Sequence, residues 1–207
     1  MKITQIREKE DAEALSVLDF DLLMEKIKTE TKTRPVTGLR QALHFVLPGE
    51  PCSFAGKLPK IMPAAVFGRV NGVRRMKVYN GIVELTVGPL AGKVEVELVK
   101  KKAADLPQTM FAYMGSSGNS VKIWTLFTRP DGTLPQTQEE AELFQAHAYR
   151  LAVKCYQPQI PFDIQLKEPL LEQYSRLSYD PAPFYRKNAV PFYLSQPFGM
   201  PKEMTYR

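Results

Sequence analysis

Residues 110–127 read MFAYMGSSGNSVKIWTLF, and their interpretation decides the fold. Two apolar segments, Met110–Met114 and Val121–Phe127, flank the loop Gly115-Ser116-Ser117-Gly118-Asn119-Ser120. In the second segment Val121, Ile123, Thr125 and Phe127 share one face and Lys122, Trp124 and Leu126 the other, which is the period of a β-strand. A hairpin is expected. Its loop carries more glycine and hydroxyl groups than a turn needs, and Lys122 follows at once. Glycines let backbone N–H groups converge on an anion, serines add donors, and a lysine adds a point charge. A surface hairpin with a solvated lysine is the plainer reading of the same residues. The glycine spacing matches neither the P-loop nor the dinucleotide fingerprint.

Downstream, Pro130-Asp131-Gly132 reads as a turn. Thr137 and Glu140 form a capping box before a helix over 138–156, with Leu143, Phe144, His147, Leu151, Ala152 and Cys155 as its expected stripe. Ile160–Leu166 is expected to be a short strand, and the Pro- and aromatic-rich stretch from Pro181 to Tyr193 an extended arm against the domain. Upstream, Pro89–Leu106 fits both a strand alternation and a helical stripe, and its length favours a helix. Ala64–Val70 and Val78–Val87 read as strands around a basic turn at Asn71-Gly72. Residues 47–63, rich in Pro and Gly, are expected to be irregular. Met1–Glu10 suggests a strand, Asp19 or Asp21 a helix cap, Arg34-Pro35 a break, and Gly38–Val46 a second helix. The sum is an α+β fold, a mostly antiparallel sheet with helices packed on one face.

A chain of 207 residues suits one domain, or one domain with a small appendage. The expected division is an N-terminal strand and helix extension over 1–34, a main domain over 35–190, and a C-terminal arm or linker over 191–207. Two cysteines and two histidines argue against a disulfide framework, a zinc cluster or a cysteine–histidine nucleophile. With no run of ~20 apolar residues and no signal-peptide pattern at the N-terminus, a soluble, cytoplasmic protein without a membrane partner is expected. The net charge of +6 suits a polyanionic partner. Arg69, Arg74, Arg75 and Lys77 form the candidate nucleic-acid surface, although such a cluster also describes a solvated face.

Four pieces in order carry a resemblance: Lys57-Leu58-Pro59 with Phe67-Gly68-Arg69; Asn80-Gly81-Ile82-Val83-Glu84-Leu85-Thr86; Gly115 to Lys122; and Ser175-Arg176-Leu177-Ser178-Tyr179-Asp180-Pro181. Together, over residues 35–190, the chain resembles the virulence-associated E (VirE) N-terminal domain, of the archaeo-eukaryotic primase or primase-polymerase superfamily. That resemblance implies an RRM- or palm-like sheet bearing three motifs: a strand with two metal-holding acids one residue apart, a small-residue loop leading to a phosphate-contacting His or Lys, and a later metal-binding acid. Two-metal nucleotidyl transfer needs convergent carboxylates.

The second motif maps onto Gly115, Ser116, Ser117, Gly118, Asn119 and Lys122, and the third onto Asp163, with Arg176 downstream as a further phosphate contact. The first motif departs from the pattern. Glu84 remains as the candidate catalytic and metal-binding acid, but Thr86 replaces its partner. Losing a carboxylate removes a full charge from a site for Mg or Mn, which implies catalysis lost or nearly lost. The expectation is therefore a degenerate primase-polymerase-like domain of a mobile-element replication protein. It would bind nucleoside triphosphate or single-stranded DNA beside a helicase-like domain or protein. An active Mg- or Mn-dependent DNA primase, and a non-enzymatic interaction domain using the C-terminal arm, are the alternatives. Plainer readings stand beside these roles: Glu84 a solvent-facing strand residue, Asp163 a turn cap, Asp180-Pro181 a turn former, and Trp124 a core residue rather than a base-stacking platform.

Overall fold

Period-two alternation along residues 121–128 sorts their side chains into two separate cores, and the rest of the fold is arranged around that division. The computed structural model describes residues 1–9, 12–46 and 52–195. In chain order the elements are β1 (Lys2–Lys9), β2 (Ala12–Asp19), α1 (Phe20–Lys28), α2 (Pro35–Leu43), α3 (Ser53–Gly56), β3 (Lys60–Met62), β4 (Ala65–Val70), β5 (Val73–Tyr79), β6 (Ile82–Val87), α4 (Lys93–Asp105), β7 (Thr109–Met114), β8 (Val121–Thr128), α5 (Gln138–Tyr156), β9 (Ser175–Arg176), β10 (Phe184–Tyr185) and β11 (Phe192–Tyr193).

β8 is central, antiparallel to β7 on one side and β6 on the other. Past α5 the chain returns to the free side of β6, where Ile164 bridges Val87 antiparallel. The sequence β6-α4-β7-β8-α5 followed by that bridge, in spatial order β7-β8-β6-Ile164, is the split βαβ arrangement of ferredoxin-like sheets. The α+β expectation is met in this form. α4 and α5 cover one face, setting Val96, Val99, Phe144, Ala148 and Ala152 against Val83, Leu85, Val121, Ile123 and Phe127. α5 starts as the capping box requires, with Thr137 Oγ1 accepting from Glu140 N at 3.3 Å.

The opposite face is not open. Phe111, Tyr113 and Trp124 pack there against Phe20, Leu23 and Ile27 of α1 and against Ile3 and Ile61, from β1 and β3. A second antiparallel sheet, in the order β2-β1-β3-β9, supplies these last residues. The 1–34 extension thus shares a core with the central sheet. Trp124 is wholly buried, with Phe111 and Tyr113 at 5.6 and 5.9 Å between ring centroids, so it is a core residue and offers no face to a base.

Several local expectations need correcting. Residues 52–63 hold a short helix and the strand β3, because Lys60–Met62 finds a ladder on β1; residues 47–51 of the expected irregular stretch lie outside the described residues. Val78–Val87 is two strands, since Tyr79 ends a hairpin with Ala65 while Ile82 begins pairing with β8. Asn71 and Gly72, at φ 51° and 78°, make the left-handed turn of that hairpin, as their order suggested. α2 starts at Pro35, earlier than expected, because proline suits a first helical turn and Glu30 accepts from Val36 N and Thr37 N at 2.6 and 2.8 Å.

The inner face of α5 is rotated from the expected stripe. Gln145 and Tyr149 are buried while Leu143 is exposed. Gln145 is tolerated inside because Tyr79 Oη donates to it at 2.7 Å and its amide donates to Ile82 O. Ile160–Leu166 is no strand beyond the one bridge, which Gln165 N to Thr86 O and Gly88 N to Asp163 O flank, while Ile164 N on the outer edge donates to the Gln157 side chain at 3.0 Å. The arm does lie against the domain: β10 pairs with β7, and β11 runs parallel to the end of β8. Residues 196–207 of the expected arm are outside those described. Among the described residues no helix is long and apolar enough to cross a membrane.

Candidate anion-binding pocket

The register of β6 on β8 sets Glu84 opposite Trp124 and Thr86 opposite Lys122. Directly opposed residues point to the same side of a sheet, so all four face the second sheet rather than the helices. Glu84 is buried there with its carboxylate engaged by three partners. Trp124 Nε1 donates to Oε2 at 2.9 Å, Ser175 of β9 donates to Oε1, and the Lys122 ammonium stands 3.5 Å from Oε1. Lys122 Nζ also donates to Thr86 Oγ1 at 2.9 Å.

A second lysine reaches the same oxygen. Gln165 N donates to Thr86 O at 2.8 Å, which lays the segment after α5 along the end of β6. Lys167 N donates to Tyr149 Oη at 2.9 Å, fixing the backbone there. From that position Lys167 Nζ donates to Thr86 Oγ1 at 3.2 Å. Burial, and next the Lys122 charge, push the Lys167 ammonium below its ordinary pKa, with Glu84 opposing. A hydroxyl has two acceptor lone pairs and one proton. With both ammonium groups on its hydroxyl, Thr86 forms the floor of the space above.

That space is a cavity of about 280 Å³ whose lining includes Thr86, Ser116, Ser117, Asn119, Ser120, Lys122, Lys167 and Arg176. The loop over it is closed by its own glycines. Gly115 N donates to Ser120 O at 2.7 Å and Gly118 N to Gly115 O at 3.0 Å. These two amides therefore shape the loop instead of pointing at a ligand, which corrects the expected nest. A Cβ on Gly115 would collide with Ser120 Oγ, and Gly118 has φ 83° against the Arg40 side chain. Arg40, on α2, holds the loop from behind, donating to Gly115 O at 3.0 Å, Ser116 O at 3.2 Å and Tyr179 O at 2.7 Å. Beside it Asp180 is more than a turn former. It is buried against Lys100 Nζ at 3.0 Å and accepts from Met114 N at 2.8 Å, tying the last motif to the root of the loop.

The structure thus brings Ser116, Ser117, Asn119, Lys122 and Arg176 together on one cavity, with Gly115 and Gly118 forming the loop and Glu84 beneath the floor. Asp163 is not with them. Its carbonyl accepts from Gly88 N, four residues beyond Glu84, so roughly 13 Å of strand separates the two acids. Asp163 is exposed, and among the described residues no group of three or more His, Cys, Asp or Glu is placed to hold a metal ion. Around Thr86, where the primase resemblance would set the second acid, stand two ammonium groups. These residues do not fit a divalent cation.

Arg69, Arg74, Arg75 and Lys77 lie on the separate β4–β5 hairpin, and Arg74 is engaged by Glu13 at 2.6 Å and Glu172 at 2.5 Å. A larger cleft of about 530 Å³ lies along the outside of α5, but its charged lining is Glu142, Glu168, Glu172 and a single Arg150. Lys167 and Arg40 escaped sequence reading because neither sits in a motif. Each acts on the pocket through a contact distant in the chain.

A search of curated proteins and a search of solved structures each find no match to this chain. A family model does match, over residues 53–185, a span that contains the whole of the βαββα core, the loop and β9. By that match the chain belongs to the BT4734-like family, through its N-terminal domain.

Proposed function

We propose that this domain binds a phosphate-bearing ligand, a nucleotide or a nucleic acid, in the pocket between the Gly115–Ser120 loop and β6, without catalysing nucleotidyl transfer. The observation that carries this reading is the convergence of Lys122 and Lys167 on Thr86 Oγ1 beneath a serine-lined loop. Such a floor presents donors and positive charge, the complement of a phosphate, which has only acceptors and negative charge at neutral pH. The primase-polymerase resemblance supports the nucleotide class, and the loop-to-lysine motif is the part of it that reaches the pocket. Mg or Mn has no role in this reading, since Glu84 is held by Trp124, Ser175 and Lys122. Placement in a mobile-element replication protein beside a helicase-like partner belongs to the same proposal.

Titration with nucleoside triphosphates and with single-stranded DNA at low salt tests it. Binding is expected to weaken as salt rises and to fall at least tenfold in Lys122→Ala. Absence of binding at low salt overturns the reading. Primer synthesis with Mg or Mn that Glu84→Gln abolishes would overturn its non-catalytic half.

A further inference from the structure

We infer that the pocket selects a terminal phosphate, a phosphomonoester carrying two negative charges, over the singly charged phosphodiester inside a strand. The inference rests on the phosphate reading above and narrows it. Three cationic side chains, Lys122, Lys167 and Arg176, border the cavity, whereas one carboxylate, Glu84, lies beneath it. Glu84 stands at salt-bridge distance from Lys122 and acts on Lys167 only from further away, and Lys167 has no salt bridge among the described residues. The excess is therefore about two positive charges, which a monoester dianion balances and a diester leaves half unmet.

Donor counting agrees. An ammonium has three N–H donors and a threonine hydroxyl one. Lys122 directs two of its three donors at Thr86 and Glu84, and the Lys167 ammonium directs one at Thr86. Two Lys167 donors and the terminal NH2 groups of Arg176, whose Nε is taken by Ala55 O at 2.8 Å, remain for a ligand in this cavity, and the three terminal oxygens of a monoester use such a set more fully than the two free oxygens of a diester. Size agrees as well. At about 280 Å³ the cavity lies at the small end of ligand pockets, and its floor is closed by buried Thr86, Ser120 and Ser175.

The class of ligand has two sources, a free mononucleotide or other small monoester, and a 5′-phosphorylated strand end. The experiment measures the affinity of the whole chain at low salt for oligothymidylate with a 5′-phosphate and with a 5′-hydroxyl, for thymidine 5′-monophosphate, for inorganic phosphate, and for dimethyl phosphate as the diester control. The 5′-phosphate form is expected to bind at least tenfold more tightly than the 5′-hydroxyl form, with inorganic phosphate competing and dimethyl phosphate failing to compete. Binding of the small monoesters without either oligonucleotide also supports the inference and assigns the free source. Lys167→Gln, checked for an unchanged melting curve, should bring the oligonucleotide preference close to one. If that variant does not fold, Lys167→Arg should fold and keep the preference. Equal binding of both oligonucleotides by the unmodified protein overturns the monoester assignment and leaves the phosphate reading standing. Failure of every ligand overturns both. A preference that survives Lys167→Gln removes Lys167, and with it the charge argument.

Discussion

Lys122 and Lys167, 45 positions apart in the chain, donate to one and the same atom, Thr86 Oγ1, at 2.9 and 3.2 Å. Two like charges sharing an acceptor repel each other, and the neutral hydroxyl between them compensates neither. A carboxylate at that position would compensate both. Thr86→Asp is therefore expected to stabilise the unliganded fold and to lower affinity for phosphate ligands by about tenfold, the two ammonium groups then being occupied. Calorimetric titration together with a thermal melt checks both signs. Gain of Mg-dependent primer synthesis in Thr86→Asp is not expected, because Asp163 stays out of reach of the pocket.

Glu84→Gln should separate stability from binding in the opposite sense. The amide keeps the acceptor for Trp124 Nε1 but leaves the Lys122 ammonium without its carboxylate at 3.5 Å. Removing one member of a buried, hydrogen-bonded pair costs about 3 kcal/mol. Phosphate affinity should rise, since a negative charge beneath the floor is gone. Urea unfolding and ligand titration of the same variant provide the two measurements.

Arg40 stands behind the loop without lining the cavity. Its guanidinium bridges three carbonyls, which a lysine cannot do in the same fork geometry. Arg40→Ala should cost about 2 kcal/mol from lost charge-assisted bonds, speed amide exchange across Ser116–Asn119, and weaken phosphate binding. Arg40→Lys should recover only a fraction of the exchange protection. Unchanged exchange in Arg40→Ala would mean that the loop holds itself through its glycine bonds alone.

Alkaline stability should follow the buried phenols, of which Tyr79 and Tyr113 are two beside Tyr149 and Tyr156. Burial pushes Tyr79 and Tyr113 above the ordinary tyrosine pKa of 10.0. Above that value the unfolded chain releases protons that the folded chain retains, so stability falls as pH rises. Below it both states are protonated and these groups contribute no slope. Melting temperature followed from pH 8 to 11 should fall more gently in Tyr79→Phe than in the unmodified protein, even though the variant starts lower for lack of the 2.7 Å bond to Gln145.

What sequence reading recovered is what local chemistry determines. The alternation in Val121–Phe127 set the two faces of β8, Asn71-Gly72 set a left-handed turn, and Thr137 with Glu140 set the start of α5. It missed what distant parts of the chain determine. β3 is three residues in a proline-rich stretch and exists because β1 offers it a ladder. Gln145 faces inward because Tyr79 and Ile82 satisfy it. At the pocket, the loop and Lys122 were legible as a phosphate motif. The burial of Glu84 was not, since it depends on Trp124 from the opposing strand and Ser175 from another sheet, 91 positions away.

The chain contains a single tryptophan, Trp124, and its indole N–H donates to Glu84 directly beneath the pocket floor. Its emission therefore comes from one place in the molecule, with no background from other indoles. Any charge arriving above Lys122 acts on the indole through Glu84, so quenching or a spectral shift reports occupancy without an attached dye. The same aromatic cluster that closes this face of the sheet gives the protein its own optical readout.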